Sequence, residues 1–226
     1  PSKQDTSPEN CHFVKREYNL KSKHMKIEFV FDIVYPMSYV TFQKLKKNWN
    51  EQTASRIELL PIQAVPEIPE QGLNVLEYLT EKYGSTAAQR KLEMTKFAAY
   101  SEDIEVNIEH MKRMPNSRLA HQAILALENT LDKFALTQAL FHAIFAHGKD
   151  ISDAEVLKNI IEGIGLDGNH VLRSIQHKEI ADHQREITKY VQSLGKHPIP
   201  YYIVNGEISD ESFSTQKLKD LLRQAS

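Results

Sequence analysis

The most constraining feature of this sequence is an apolar run of strand length that leads directly into a helix. The run extends from Ile27 to Val34 and is interrupted only by two carboxylates. Such a run is typical of a strand that is buried on both faces. Pro36 follows at once, and apolar residues then recur at helical spacing as far as Trp49. The sequence therefore predicts a strand that passes into a helix at residues 35–38.

Strand signals occur near both ends of the chain, and helical signals occupy the middle. A second strand is predicted at residues 56–60, after a short connection that suits a right-handed parallel crossover. A third is predicted at 200–204, and the Asn205-Gly206 dipeptide that follows predicts a hairpin. A last amphipathic helix is expected around Leu218–Leu222. Between these segments the pattern predicts helices near residues 73–83, 86–100, 117–134, 136–147, 152–164 and 177–194, with a short extended segment at 104–108.

The order of elements predicts an α/β protein with a helical insertion. The order is β-α-β, then a block of helices, then β-β-α, so the two ends of the chain are expected to form one thioredoxin-like sheet. We predict an N-terminal extension at 1–25, a thioredoxin-like domain from 26–72 and 195–226, and an inserted all-helical domain at 73–194.

Composition and motif content exclude several classes of function. The net charge is −2, from 28 basic and 30 acidic residues, which provides no broad attraction to nucleic acid or to an anionic membrane. No run approaches the roughly 20 apolar residues of a membrane span, and no secretory signal is apparent, so we expect a cytoplasmic protein. The one cysteine, Cys11, rules out an intramolecular disulfide. Neither HExxH nor CxxC occurs, so no metal site is predicted.

Five segments of the chain carry a resemblance to a known family. They are FDIVYPMSYV (31–40), LEYLTEKYG (76–84), PNSRLAH (115–121), the helical stretch 139–167 and GKHPIPYYIVNG (195–206). In this order they resemble the FrnE-type relatives of the DsbA disulfide oxidoreductases. The resemblance covers about residues 26–206, and within it His121 is expected to order the helical domain. Kappa-class glutathione transferases and 2-hydroxychromene-2-carboxylate isomerases share this architecture.

The resemblance places the family's redox motif at residues 35–38, where both cysteines are missing. Tyr35 takes the position of the first cysteine and Ser38 that of the second, with Pro36 and Met37 between them as ligand contacts. Dithiol exchange needs an attacking thiolate and a resolving thiol, so no redox turnover is expected. Either hydroxyl is a candidate to donate a hydrogen bond to a thiolate of glutathione. Alternatively, Tyr35 fills the space of the lost cysteine and Ser38 caps the helix.

The resemblance implies two further ligand contacts. Pro200 corresponds to the family's cis-proline, which leaves the backbone of Ile199 free to pair with an extended peptide or with glutathione. The alternative is that Pro200 only shapes the start of its strand. Ser212 and Ser214 lie near the start of the last helix, where kappa-class transferases hold a carboxylate of glutathione.

Three classes of function remain open from the sequence. The first is a protein without redox activity that binds a peptide, a protein or a small thiol in the former active-site groove. The second is a glutathione-dependent transferase or isomerase, for which glutathione would be the cofactor. The third is a purely structural or interaction protein, and the sequence also leaves a homodimer open.

Overall fold

Strands form at both ends of the chain, and helices occupy the sequence between them. The structure is a computed structural model, and it describes residues 25–107, 110, 112–209, 220 and 223. The strands are β1 (Ile27–Phe31), β2 (Ile57–Pro61), β3 (Leu73–Asn74), β4 (Arg113–Met114), β5 (Tyr201–Val204) and β6 (Glu207–Ser209). The helices are α1 (Pro36–Asn48), α2 (Glu51–Ala54), α3 (Val75–Tyr83), α4 (Ser85–Tyr100), α5 (Arg118–Ala126), α6 (Thr130–Phe145), α7 (Ala154–Gly163), α8 (Gly168–Ser174) and α9 (Lys178–Ser193).

The two ends of the chain meet in a four-stranded sheet with the order β2-β1-β5-β6. β1 runs parallel to β2, with Ile27 opposite Ile57. β5 runs antiparallel to β1 with Val30 opposite Tyr201, and β6 is antiparallel to β5. The predicted thioredoxin-like order of elements, including the hairpin at residues 205–206, is therefore confirmed.

The sheet is covered on both faces, as the apolar run in β1 predicted. Alternate side chains of a strand point to opposite faces. Phe29 and Phe31 face a core that includes apolar residues of α1 and α6, and the Phe31 and Phe141 rings lie 6.0 Å apart. Val30 faces the opposite core, which includes Ile187 of α9 and Leu125 of α5. Both faces therefore depend on helices from the middle of the chain.

α9 is part of the packing around the sheet. Three of its apolar side chains, Ile180, Ile187 and Val191, belong to the same core as the β5 residue Ile203. In addition, the Tyr190 hydroxyl donates a hydrogen bond to the carboxylate of Glu28 in β1 at 2.9 Å. The division of the chain into 26–72 with 195–226 and an insertion at 73–194 stays a prediction.

The helix boundary predicted near residue 135 is wrong. The break lies at residues 127–129, where the side chain of Asn129 caps α6 by accepting hydrogen bonds from the backbone N–H groups of Leu131 and Asp132. Asn at this position satisfies N–H groups that have no partner within the helix. The apolar spacing continues across the break, which conceals it in the sequence.

Some shorter elements differ from the predictions. α2 and α8 were not predicted, and residues 104–107 form no strand. The extended pairing instead joins β3 and β4, with Leu73 opposite Met114. Most of the predicted last helix and Ile108 lie outside the described residues, although Asp220 and Arg223 are both helical.

The buried Tyr202 provides a test of this packing at alkaline pH. Burial raises the pKa of Tyr202 above its ordinary value of 10.0, so the hydroxyl keeps its proton in the folded chain. The unfolded chain releases that proton above about pH 10, and stability then falls by up to about 1.4 kcal/mol per pH unit. We expect Tyr202→Phe to reduce this slope in urea unfolding at pH 10–11. Tyr100→Phe, at a side chain that is 83% exposed, is the control. Equal slopes for both variants would contradict the packing.

Candidate functional site

Residues 35–38 form the junction between the carboxyl end of β1 and the start of α1. Tyr35 is the N-cap residue, with extended backbone angles (φ −98°, ψ 117°), and Pro36 is in the first turn. Pro36 lacks an N–H, which costs nothing at this position, and its fixed φ suits the helix start. The Tyr35 N–H donates to the Asp32 carbonyl at 3.1 Å, and the Ser38 N–H donates to the Tyr35 carbonyl at 2.9 Å. These bonds fix a tight turn from strand to helix.

Ser38 is buried beneath this turn. Its side chain has 0% exposure, and its Oγ accepts a hydrogen bond from the Asp32 N–H at 3.3 Å. The expectation that Ser38 caps α1 is wrong, because Tyr35 occupies the N-cap position and no side chain makes a capping bond there. A buried hydroxyl bound to its own turn is poorly placed to meet a ligand, so Tyr35 is the stronger candidate of the two.

Tyr35 is 39% exposed, which leaves its side chain open to a ligand. Partial burial raises the pKa of the Tyr35 hydroxyl, and the nearby Tyr83 hydroxyl raises it further, while the Lys82 ammonium acts in the opposite direction. The hydroxyl is therefore a neutral hydrogen-bond donor at physiological pH. Met37, in the first turn of α1, is half-buried.

A group of lysine and tyrosine side chains on α3 and α4 lies near Tyr35. Lys82 Nζ donates to the Tyr78 hydroxyl at 2.7 Å and lies 5.6 Å from the centre of the Tyr83 ring. Lys91 Nζ lies 4.4 Å from the centre of the same ring. These are cation–π distances, so the lysines and tyrosines hold one another in place. The spacing in 76–84 indicates only a helix, so this group is not predictable from the sequence.

Asp32 lies buried at the end of β1 and fixes the backbone around the junction. Its carboxylate accepts hydrogen bonds from the Val34 N–H at 3.3 Å through Oδ1 and from the Ala64 N–H at 2.8 Å through Oδ2. The residue is 1% exposed. A buried carboxylate is tolerated where donors surround it. Asp32 therefore ties the β1–α1 turn to the loop that follows β2.

His121 of α5 contacts the same turn. The Ile33 N–H lies 3.2 Å from His121 Nε2 in donating geometry, and Asp32 Oδ1 lies 3.2 Å from the same nitrogen. One ring nitrogen cannot accept from the amide and donate to the carboxylate at the same time, so the tautomer decides which of the two contacts is a hydrogen bond. His121 therefore supports the junction from below. The expectation that it orders the helical domain did not include this contact.

Residues 199 and 200 lie opposite the junction. Because Val30 pairs with Tyr201 in the antiparallel ladder, the residues before Tyr201 continue alongside the end of β1. The Ile199–Pro200 peptide bond is cis, as the resemblance implied. The N–H and C=O of Ile199 have no hydrogen-bond partner within the described residues. Among the residues that the structure describes, an unpaired backbone therefore lies on the β5 side of the junction.

Ser212 and Ser214 lie outside the described residues. Within the described ranges, no group of three or more His, Cys, Asp or Glu side chains is placed to hold a metal ion. None of the helices in those ranges is both long enough and apolar enough to cross a membrane.

A protein-family model matches most of this chain. The model of the DSBA-like thioredoxin domain family matches residues 26–223, which is most of the chain. No curated protein matches.

Several solved structures have the same fold. A probable DsbA oxidoreductase, SCO1869 from Streptomyces coelicolor, has a TM-score of 0.73 at 22% identity and covers 89% of this chain and 90% of its own. The cytosolic disulfide reductase DsbM from Pseudomonas aeruginosa has a TM-score of 0.61 at 12% identity, covering 88% and 95%. A 2-hydroxychromene-2-carboxylate isomerase has a TM-score of 0.58 at 17% identity, covering 86% and 91%.

Substitution of Asp32 tests its role at the junction. Asp32→Ala removes the acceptor of the buried Val34 N–H and that of the Ala64 N–H, which belongs to an exposed residue; a buried donor left unpaired costs about 1–3 kcal/mol. We expect a loss of about 1–3 kcal/mol in the free energy of unfolding, measured with urea. Asp32→Asn keeps one oxygen acceptor and is expected to lose less. If Asp32→Ala is as stable as the unmodified chain, the carboxylate does not hold the turn.

Proposed function

Because this chain belongs to the DSBA-like thioredoxin domain family but has Tyr35 and Ser38 at the two cysteine positions of its redox motif, we propose that it binds a ligand at that site without dithiol exchange. The ligand is an extended peptide or a small thiol compound, held in the groove between the β1–α1 junction and residues 199–200. Neither hydroxyl can replace a thiol in disulfide exchange. Cys11, the single cysteine, lies outside the described residues.

The unpaired backbone of Ile199 carries the proposal. Its N–H and C=O have no partner within the described residues, and the side chain is only half-buried. A backbone edge of this kind pairs readily with an extended segment of another chain, because main-chain hydrogen bonds supply affinity without regard to sequence. The exposed ring of Tyr35 would form the other side of the groove.

Glutathione is a second candidate ligand, and the state of Tyr35 favours it. A tyrosine hydroxyl that keeps its proton can donate a hydrogen bond to a thiolate, and partial burial raises the pKa of Tyr35. Glutathione also has a peptide backbone that could pair with Ile199. Two structures of similar fold point the same way: DsbM from Pseudomonas aeruginosa has also been solved with GSH, and another is a 2-hydroxychromene-2-carboxylate isomerase. In this function the chain would be a transferase or an isomerase.

The proposal also covers the cellular location and the oligomeric state of the protein. We infer a cytoplasmic location, supported by the single cysteine and by the cytosolic DsbM among the structures of similar fold. A homodimer stays a prediction that measurement of the mass in solution would test.

Amide NMR titration distinguishes the two ligands. The isotope-labelled chain is titrated with glutathione and, separately, with an extended peptide that lacks cysteine. If the proposal holds, the backbone amides of Ile199, Tyr35, Met37 and Ser38 shift with at least one ligand. Tyr35→Phe removes only the hydroxyl, so we expect it to weaken glutathione binding about tenfold and to leave peptide binding unchanged. Tyr100→Phe is the matched control, since Tyr100 is exposed on α4.

The two titrations have three informative outcomes. Shifts with the peptide alone support the binding of extended segments. Glutathione affinity that depends on the Tyr35 hydroxyl supports the transferase or isomerase function. If neither ligand shifts these amides, the proposal fails and a structural role remains.

A further inference from the structure

A cavity of about 360 Å³ lies between α5, α9 and the loop after β2. Its lining includes Gln63 from that loop, Arg118 and Gln122 from α5, and Gln184, Arg185 and Lys189 from α9. The volume is in the range of cavities that hold small organic ligands. None of the residues predicted at the thioredoxin motif lines it, so it is distinct from the groove proposed above.

The charged side chains that line the cavity are all positive. Three lining side chains are cationic, and none is a carboxylate. Two of these cations have a carboxylate neighbour. The carboxylate oxygen of Glu70 lies 3.9 Å from the Arg118 guanidinium and belongs to a side chain that is 90% exposed, so this pair is weak. Arg185 donates a hydrogen bond to Asp182 at the surface, which offsets part of its charge. Lys189 has no carboxylate within ion-pair distance in the described part of the chain. The positive charge of the cavity is therefore carried mainly by Arg118 and Lys189.

The inner wall supplies an unused hydrogen-bond donor. Gln122 Nε2 donates to Gln184 Oε1 at 3.1 Å, which fixes both amides. Gln184 is only 8% exposed, and its Nε2 has no hydrogen-bond partner within the described residues. Buried donors are normally paired, because leaving one unpaired costs free energy. Gln184 is also a lining residue, so its amide lies next to the space that an acceptor in the cavity would occupy.

We propose that this cavity binds a small organic anion through its carboxylate or phosphate oxygens. Arg118 and Arg185 present planar guanidinium groups from two different helices, and such groups bind carboxylate and phosphate oxygens in pairs. Lys189 adds a third positive charge, and Gln184 provides a neutral donor. Three cations and one amide suit a ligand with two negative charges.

Isothermal titration calorimetry with inorganic phosphate and, separately, with succinate tests the proposal at fixed ionic strength. The cavity variant combines Arg118→Gln with Lys189→Gln. The control variant combines Arg90→Gln on α4 with Lys178→Gln on α9, which removes the same net charge from outside the cavity. All substitutions are at exposed side chains, and thermal unfolding without anion verifies that each variant folds.

We expect the cavity variant to weaken binding of at least one anion about tenfold, while the control stays close to the unmodified chain. The anion that binds more tightly identifies the headgroup as carboxylate or phosphate. An equal loss in both variants would show general attraction to surface charge and would overturn the proposal. The absence of binding by the unmodified chain up to about 10 mM of either anion would also overturn it. The result does not depend on the Ile199 groove, so the two proposals fail separately.

Discussion

The buried carboxylate of Asp32 connects the segments that build the candidate site. Its carboxylate oxygens accept hydrogen bonds from the N–H groups of Val34 and Ala64, and its own N–H donates a hydrogen bond to Ser38 Oγ. Because β1 must end and α1 must begin within a few residues, several backbone groups need partners at this point. Asp32 supplies these hydrogen-bond partners, and no cysteine takes part in them. The geometry of the junction can therefore persist after both thiols are lost.

The sequence was sufficient to predict the sheet, because a strand that is buried on both faces is a nearly continuous apolar run in the sequence. The run that begins at Ile27 contains the residues that face both cores, and Asn205-Gly206 marks the hairpin. The helical boundaries were harder. Apolar residues continue at helical spacing on both sides of residues 127–129. This spacing predicts a helix across the break, even though Asn129 caps α6 there. Short elements such as α8 also leave too little periodicity to detect.

The site was predictable in position but not in its supporting contacts. The strand-to-helix pattern and the resemblance located Tyr35, Ser38 and Pro200. The sequence could not show that Ser38 is buried while Tyr35 is exposed, because adjacent turns of one helix differ only in what packs against them. Asp32 looked like a polar interruption of a strand. Its contacts come from residues far along the chain, including Ala64, 32 positions away, and the Ile33–His121 contact spans 88. Such pairings arise only from the folded topology.

The junction keeps its geometry but lacks the groups for dithiol exchange. The most direct test measures redox activity and thiol pKa in a chain with Tyr35→Cys, Ser38→Cys and Cys11→Ser. We predict that the unmodified chain is inactive in insulin reduction. The triple variant should form an intramolecular disulfide, with the thiol at position 35 titrating below the ordinary value of about 8.5 because it lies at a helix N-terminus. Two introduced thiols with ordinary pKa values and no disulfide would show that the junction has lost this geometry. So would activity of the unmodified chain that survives Cys11→Ser.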